Sequence, residues 1–134
     1  MAADYQDRFD NAKPTYTRVN EKQFADLPAG TTVLIPSPQD IASVIDTIPS
    51  GATWTLSELR DTLAAQHDAD GACPVMTGMN LRVVAEVNLS ALDAGVPVEE
   101  VTPVWRALDP NSNVATKTPG GADRIRSLRD AEAS

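Results

Sequence analysis

Thr55 stands three residues ahead of Glu58, and Leu56, Leu59 and Leu63 run on at helical spacing. A hydroxyl that accepts from the amide three positions on, with a carboxylate that reaches back to it, marks a helix start; the leucines mark the face it buries. This pattern predicts a helix from Leu56 to about His67, ended by the turn residues Asp68-Ala69-Asp70-Gly71. Cys73-Pro74 then opens a second helical region, where Met76, Met79, Val83, Val84, Val87 and Leu92 supply apolar positions before Gly95 stops it. Two helices joined by a short polar turn are compatible with a helix-turn-helix. Any fold for this chain must bury both stripes.

The elements around this pair are punctuated by proline. Thr32-Val33-Leu34-Ile35, closed by Pro36, predicts a strand. Ser37 and Pro38 fit a helix cap and first helical position, with Ile41, Val44, Ile45 and Ile48 forming a stripe that ends before Pro49. Residues 1–30 are polar and show neither period, which predicts a flexible N-terminal arm ahead of a domain over 31–134. Val101 and the run Val104-Trp105-Arg106-Ala107-Leu108, backed by the turn-rich Asp109 to Asn113, predict a β-hairpin or wing. Asp123 to Glu132 predicts a last helix with Ile125 and Leu128 facing inward. The expected class is α+β and mainly helical: a winged-helix-like domain with a helix-turn-helix and a small β-hairpin.

Composition removes several functions. Cys73 is the only cysteine, so internal disulfides and cysteine-rich zinc modules are excluded, and a cytoplasmic setting is expected. The N-terminus lacks the apolar centre of a secretory signal, and no apolar run approaches the roughly 18 residues of a membrane span. Walker and dinucleotide glycine patterns are missing, as is a catalytic triad, so no cofactor is expected. His67, Asp68 and Asp70 read as a helix end and a solvated turn in preference to a metal site. Cys73 reads as a small buried apolar residue in preference to a reactive thiol, and Met76 and Met79 as core filler.

Three segments, in order, resemble the DNA-binding domain of the alkylguanine-DNA alkyltransferases and their relatives that lack the acceptor cysteine. Ile48-Pro49-Ser50-Gly51-Ala52-Thr53 is similar to the family's entry into the helix-turn-helix. The helix from Cys73 is similar in position to the recognition helix, which implies Arg82 as the residue that replaces a flipped base. Thr102-Pro103-Val104-Trp105-Arg106 resembles the active-site motif, and Pro119-Gly120-Gly121-Ala122-Asp123 the double-glycine segment before the last helix.

Val104 stands where that motif has its cysteine and Trp105 where it has its histidine. Valine carries no nucleophilic atom and tryptophan is no base, so alkyl transfer at this position is chemically excluded. Leu56 and Thr118 stand where the family has tyrosines. The resemblance therefore implies a non-enzymatic protein that binds DNA, in the form its cysteine-free relatives take: recognition of alkylated guanine for repair.

Charge distribution bears on the same question. The net charge of −8 opposes a polyanion partner. From Leu56 to Thr102 the only cations are Arg60 and Arg82, among eight acidic residues. From Pro103 to Arg129, Arg106, Lys117, Arg124, Arg126 and Arg129 outnumber Asp109 and Asp123. The resemblance and these cations together imply DNA contacts from Arg82 and Trp105 at the base, and from Arg106, Lys117, Arg124, Arg126 and the Gly120-Gly121 backbone at phosphates; the residues alone also read as a core tryptophan, a solvated helix arginine or partner of Glu86, and a tight strand-to-helix connection. The competing expectation is a protein partner for the acidic helix pair on the same scaffold.

Overall fold

A computed structural model describes residues 2–133. Its architecture is α+β and mainly helical. The elements run α1 (Ala2–Asp10), β1 (Tyr16–Val19), β2 (Thr32–Ile35), α2 (Pro38–Ile45), α3 (Leu56–Gln66), β3 (Gly71–Ala72), α4 (Pro74–Asp93), 3₁₀ turns at Val98–Glu100 and Val104–Arg106, α5 (Asn113–Lys117) and α6 (Gly121–Ala133).

The caps read from sequence are in place. The Ser37 hydroxyl accepts from the Asp40 amide at the head of α2, with Pro38 following. At α3 the Thr55 hydroxyl and the Glu58 carboxylate satisfy each other's backbone amides, at 3.1 Å in both directions. Gly95, with φ of +98°, ends the α4 region in a left-handed turn that a side chain would strain.

The three-stranded sheet has the order β1-β2-β3, antiparallel between β1 and β2 and parallel between β2 and β3. β2 is central, which explains why it reads as an unbroken apolar run and not as an alternation. Leu34 joins the main core, while Val33 and Ile35 point into a second cluster with Leu27 and Cys73. A Cβ on Gly71 would lie 2.5 Å from Cδ2 of Leu27, so a side chain there would require Leu27 to shift. The main core is built from α2, α3, α4 and the C-terminal turns, with Ile41, Ile45, Leu59, Leu63, Leu89, Val104, Trp105 and Ile125 almost wholly enclosed.

Two expectations are corrected. The segment 1–30, of which Met1 lies outside the described residues, is built into the fold and is not a free arm. Phe9 packs against the main core, Leu27 is buried in the second one, and β1 pairs with β2 residue for residue from Tyr16 to Val19. Thr15 donates to the Asp40 carboxylate, and its hydroxyl accepts from the Ser37 amide at 2.9 Å, fastening the segment to the head of α2. The segment looked structureless because its anchors are few and widely spaced.

The second correction concerns Val101 to Leu108, which forms no strand. Pro103 and the enclosed Val104 and Trp105 turn the chain through a 3₁₀ turn against α4 and α6. The β-propensity of valine and tryptophan reports suitability for a packed surface, and here burial in a turn met the same need. Among the described strands the antiparallel pair is β1–β2.

Candidate nucleic-acid interface

Most of the residues expected to touch DNA have protein partners. Arg106 is pinned by Glu132 of α6, with Nη2 2.5 Å from Oε1, while its Nη1 donates to the Ile48 carbonyl at 2.7 Å. Arg124 pairs with Asp93 at 2.9 Å and reaches the Leu89 carbonyl at 3.3 Å, tying α6 to the end of α4. Arg129, counted among the C-terminal cations, donates to the carbonyls of Trp105 and Leu108 at 2.6 and 2.8 Å. Desolvation lowers its pKa. The basic surplus of the C-terminal third thus serves largely to fasten α6 to the carbonyl-rich turns before it.

Trp105 is 2% exposed and belongs to the core. Its indole N–H faces the Glu132 carboxylate and favours its charged form without closing a hydrogen bond. Both belong to the wall of a cleft of about 610 Å³ that Asp46, Glu99 and Leu128 also line. Gly120 and Gly121 both have positive φ, and a Cβ on Gly120 would lie 2.7 Å from Arg124 Cβ. The pair makes the tight passage from α5 into α6. Arg126 is half-exposed and engages Asp123 and Asn111.

Glu132 ionises below the ordinary glutamate range, chiefly because the Arg106 guanidinium donates to it, with burial opposing and the Gly51 amide assisting. A depressed folded pKa gives stability that is complete above the unfolded value and disappears as the pH falls through the folded one. Denaturant midpoints followed downward from pH 7 should therefore decline in the acid range, and Glu132→Gln should show a lower midpoint at pH 7 with a shallower acid decline. An unchanged decline in that variant would remove this assignment.

Arg82 and Lys117 remain at a surface, and they lead to the part of the molecule the sequence did not reveal. The first half of α4 presents Val75 and Met79 to solvent, with Gly78 and Arg82 on the same face. Three clefts run along it. One lies against α5 and is lined by Arg82 and Lys117; one lies against the N-terminal segment and is lined by Arg8 and Lys13; the third lies against β1 and is lined by Arg18.

No carboxylate lines any of the three. Among the described residues Arg8, Lys13, Arg18 and Lys117 form no ion pair. Arg82 is held in place by Glu86, 3.6 Å away, and by the Tyr5 ring, over which Arg8 also lies. Of the acids in the middle of the sequence, Glu86 pairs with Arg82 on α4 itself, while Glu58 caps α3, Asp70 accepts from the Thr32 amide, Asp93 pairs with Arg124, and Glu99 lines the cleft beside Trp105. Three of these cations lie in the segment 1–30, and only its folding brings them to α4.

No protein-family model matches this sequence, and no curated protein or solved structure matches it. Among the described residues no helix is long and apolar enough to cross a membrane, and no three His, Cys, Asp or Glu side chains gather as a metal site.

Proposed function

We propose that this protein binds DNA without catalysing a reaction on it, through the first half of α4 and the clefts beside it. The observation that carries this reading is the segregation of charge: in a chain of net charge −8, five cations and no carboxylate line the clefts along one helix. A phosphate backbone is the partner that such a surface attracts most strongly, because each neutralised phosphate releases condensed counterions. The phosphate contacts on this reading are Arg8, Lys13, Arg18 and Lys117, with Arg82 nearest the bases. Lys117 and Arg82 are kept from the sequence expectation, while Arg106 and Arg124 become residues that hold the scaffold.

In this reading α3 and α4 form the helix-turn-helix, with β3 in the connection, and the β1–β2 pair takes the place of a wing beside α4. The hairpin precedes the helix pair in this chain, and the winged-helix description is proposed in that altered order. Val104, enclosed and without a nucleophilic atom, supports the non-enzymatic part of the proposal. Recognition of alkylated guanine is its more specific form, supported by the resemblance over Ile48–Thr53, Thr102–Arg106 and Pro119–Asp123.

A second reading also rests on an observation. Val75 and Met79 are each about half exposed on α4, and neither can hydrogen-bond a base edge. A protein with an acidic, apolar surface would satisfy the same face.

Fluorescence titration of a plain duplex and of one carrying methylguanine, each at two salt concentrations, separates these possibilities. Salt-sensitive binding of both supports DNA recognition, and tighter binding of the methylguanine duplex supports the lesion. Negligible, salt-insensitive binding of both would leave the protein partner as the function of this face.

A further inference from the structure

The cleft between β1 and the start of α4 differs from the other two in what lines it. Tyr16 and Phe24 are both among its lining residues, together with Arg18, Ile35 and Val75, around a space of about 280 Å³. The two rings are 46% and 45% exposed, although a chain with only 4% aromatic residues has few to spare from its core.

Their positions are fixed. Phe24 sits on a turn closed by reciprocal backbone bonds with Leu27 at 2.9 and 2.8 Å, and Leu27 is buried in the second core. Next along that turn, Asp26 takes a two-pronged contact from Arg60, which also donates to the Ala72 carbonyl at 2.9 Å, so the turn is bolted to α3 and β3. Tyr16 is held by its pairing with Ile35. Two half-exposed rings on hydrogen-bonded supports, beside an arginine and with no carboxylate lining the cleft, supply the side-chain types on which bases stack. Bases inside a duplex have no free face to offer it; unpaired bases do.

We infer that this cleft takes an unpaired nucleobase, so that the protein prefers single-stranded or locally opened DNA to intact duplex. Tyr16 and Phe24 stack on the base and Arg18 meets the adjoining phosphate. This rests on the DNA-binding reading and adds the state of the strand that is bound. An acidic apolar peptide is the competing occupant, and its binding would not depend on base stacking.

The full chain should be titrated with fluorescein-labelled oligothymidine and with the matching duplex. The single strand is expected to bind at least about tenfold more tightly. Tyr16→Ala and Phe24→Ala should each weaken that binding roughly 5- to 150-fold while leaving the duplex nearly unaffected, and Tyr16→Phe should preserve it. Both side chains are half exposed, so thermal melting should find the variants folded. Equal affinity for the two forms, untouched by either alanine, would overturn the stacking inference and leave phosphate binding in place. No binding to either form would remove both.

Discussion

Trp105→Ala is expected to lower the stability of this protein by about 3–5 kcal/mol, the range for deleting a large enclosed aromatic side chain. Trp105 is 2% exposed at the junction where the second 3₁₀ turn meets α2, α4 and α6. Its neighbours are held from several directions: Val104 and Ile125 have no exposure, and Arg129 grips the Trp105 carbonyl. Those constraints leave the site little freedom to collapse, which places the cost in that range and not at a surface value. In a domain of this size the melting temperature should fall by about 10–25 °C. Trp105→Phe should retain much of the loss because it keeps an aromatic ring in the space. Thermal and urea unfolding by circular dichroism would measure both. A change within about 0.5 kcal/mol would mean that Trp105 stands at the surface, as in a wing.

The helical frame was legible because its signals are local. The Thr55–Glu58 box, the Ser37-Pro38 cap and the Cys73-Pro74 opening each specify a start through atoms only a few residues apart, and all three helices begin there. The strand at Thr32–Ile35 was legible for the same reason. What could not be read were features whose cause lies far away in the chain. Tyr5 and Phe9 stand four residues apart, a weak helical signal, and α1 acquires its place only by packing on α4. β1 is exposed along its whole length and carries no alternation to detect; its evidence is the partner β2.

The partners of the C-terminal arginines are hidden from the sequence for a related reason. Charge counted along the sequence could not tell an arginine that fastens α6 from one left facing solvent. Arg106, Arg124 and Arg129 each sit within reach of carboxylates or carbonyls that the fold supplies from elsewhere. Arg8, Lys13 and Arg18 belong to a segment with neither a helical nor an alternating apolar period, so nothing in the sequence connects them with Arg82 and Lys117. Glu132, near the C-terminus, is the partner that removes Arg106 from the surface.

The other large effect concerns DNA affinity. On the proposed DNA reading, four phosphate contacts predict that log K falls with log salt at a slope of about −3.6, which is roughly a 150-fold loss between 50 and 200 mM. Replacing Arg8, Arg18 and Lys117 together with glutamine should reduce the slope to about −0.9, because Lys13 is the one phosphate contact that remains. All three side chains are exposed or line open clefts, so folding should be preserved. Arg126→Gln is the informative control: it removes a half-exposed cation outside these clefts and within the segment whose composition first suggested DNA contact.

The slope of log K against log salt, measured on one duplex for wild type, the triple variant and Arg126→Gln, asks directly whether the clefts along α4 are where phosphates sit. Slopes of about −3.6 are expected for wild type and Arg126→Gln, and a slope of about −0.9 for the triple variant. A triple variant with the wild-type slope, or a loss of slope on changing Arg126 alone, would contradict it.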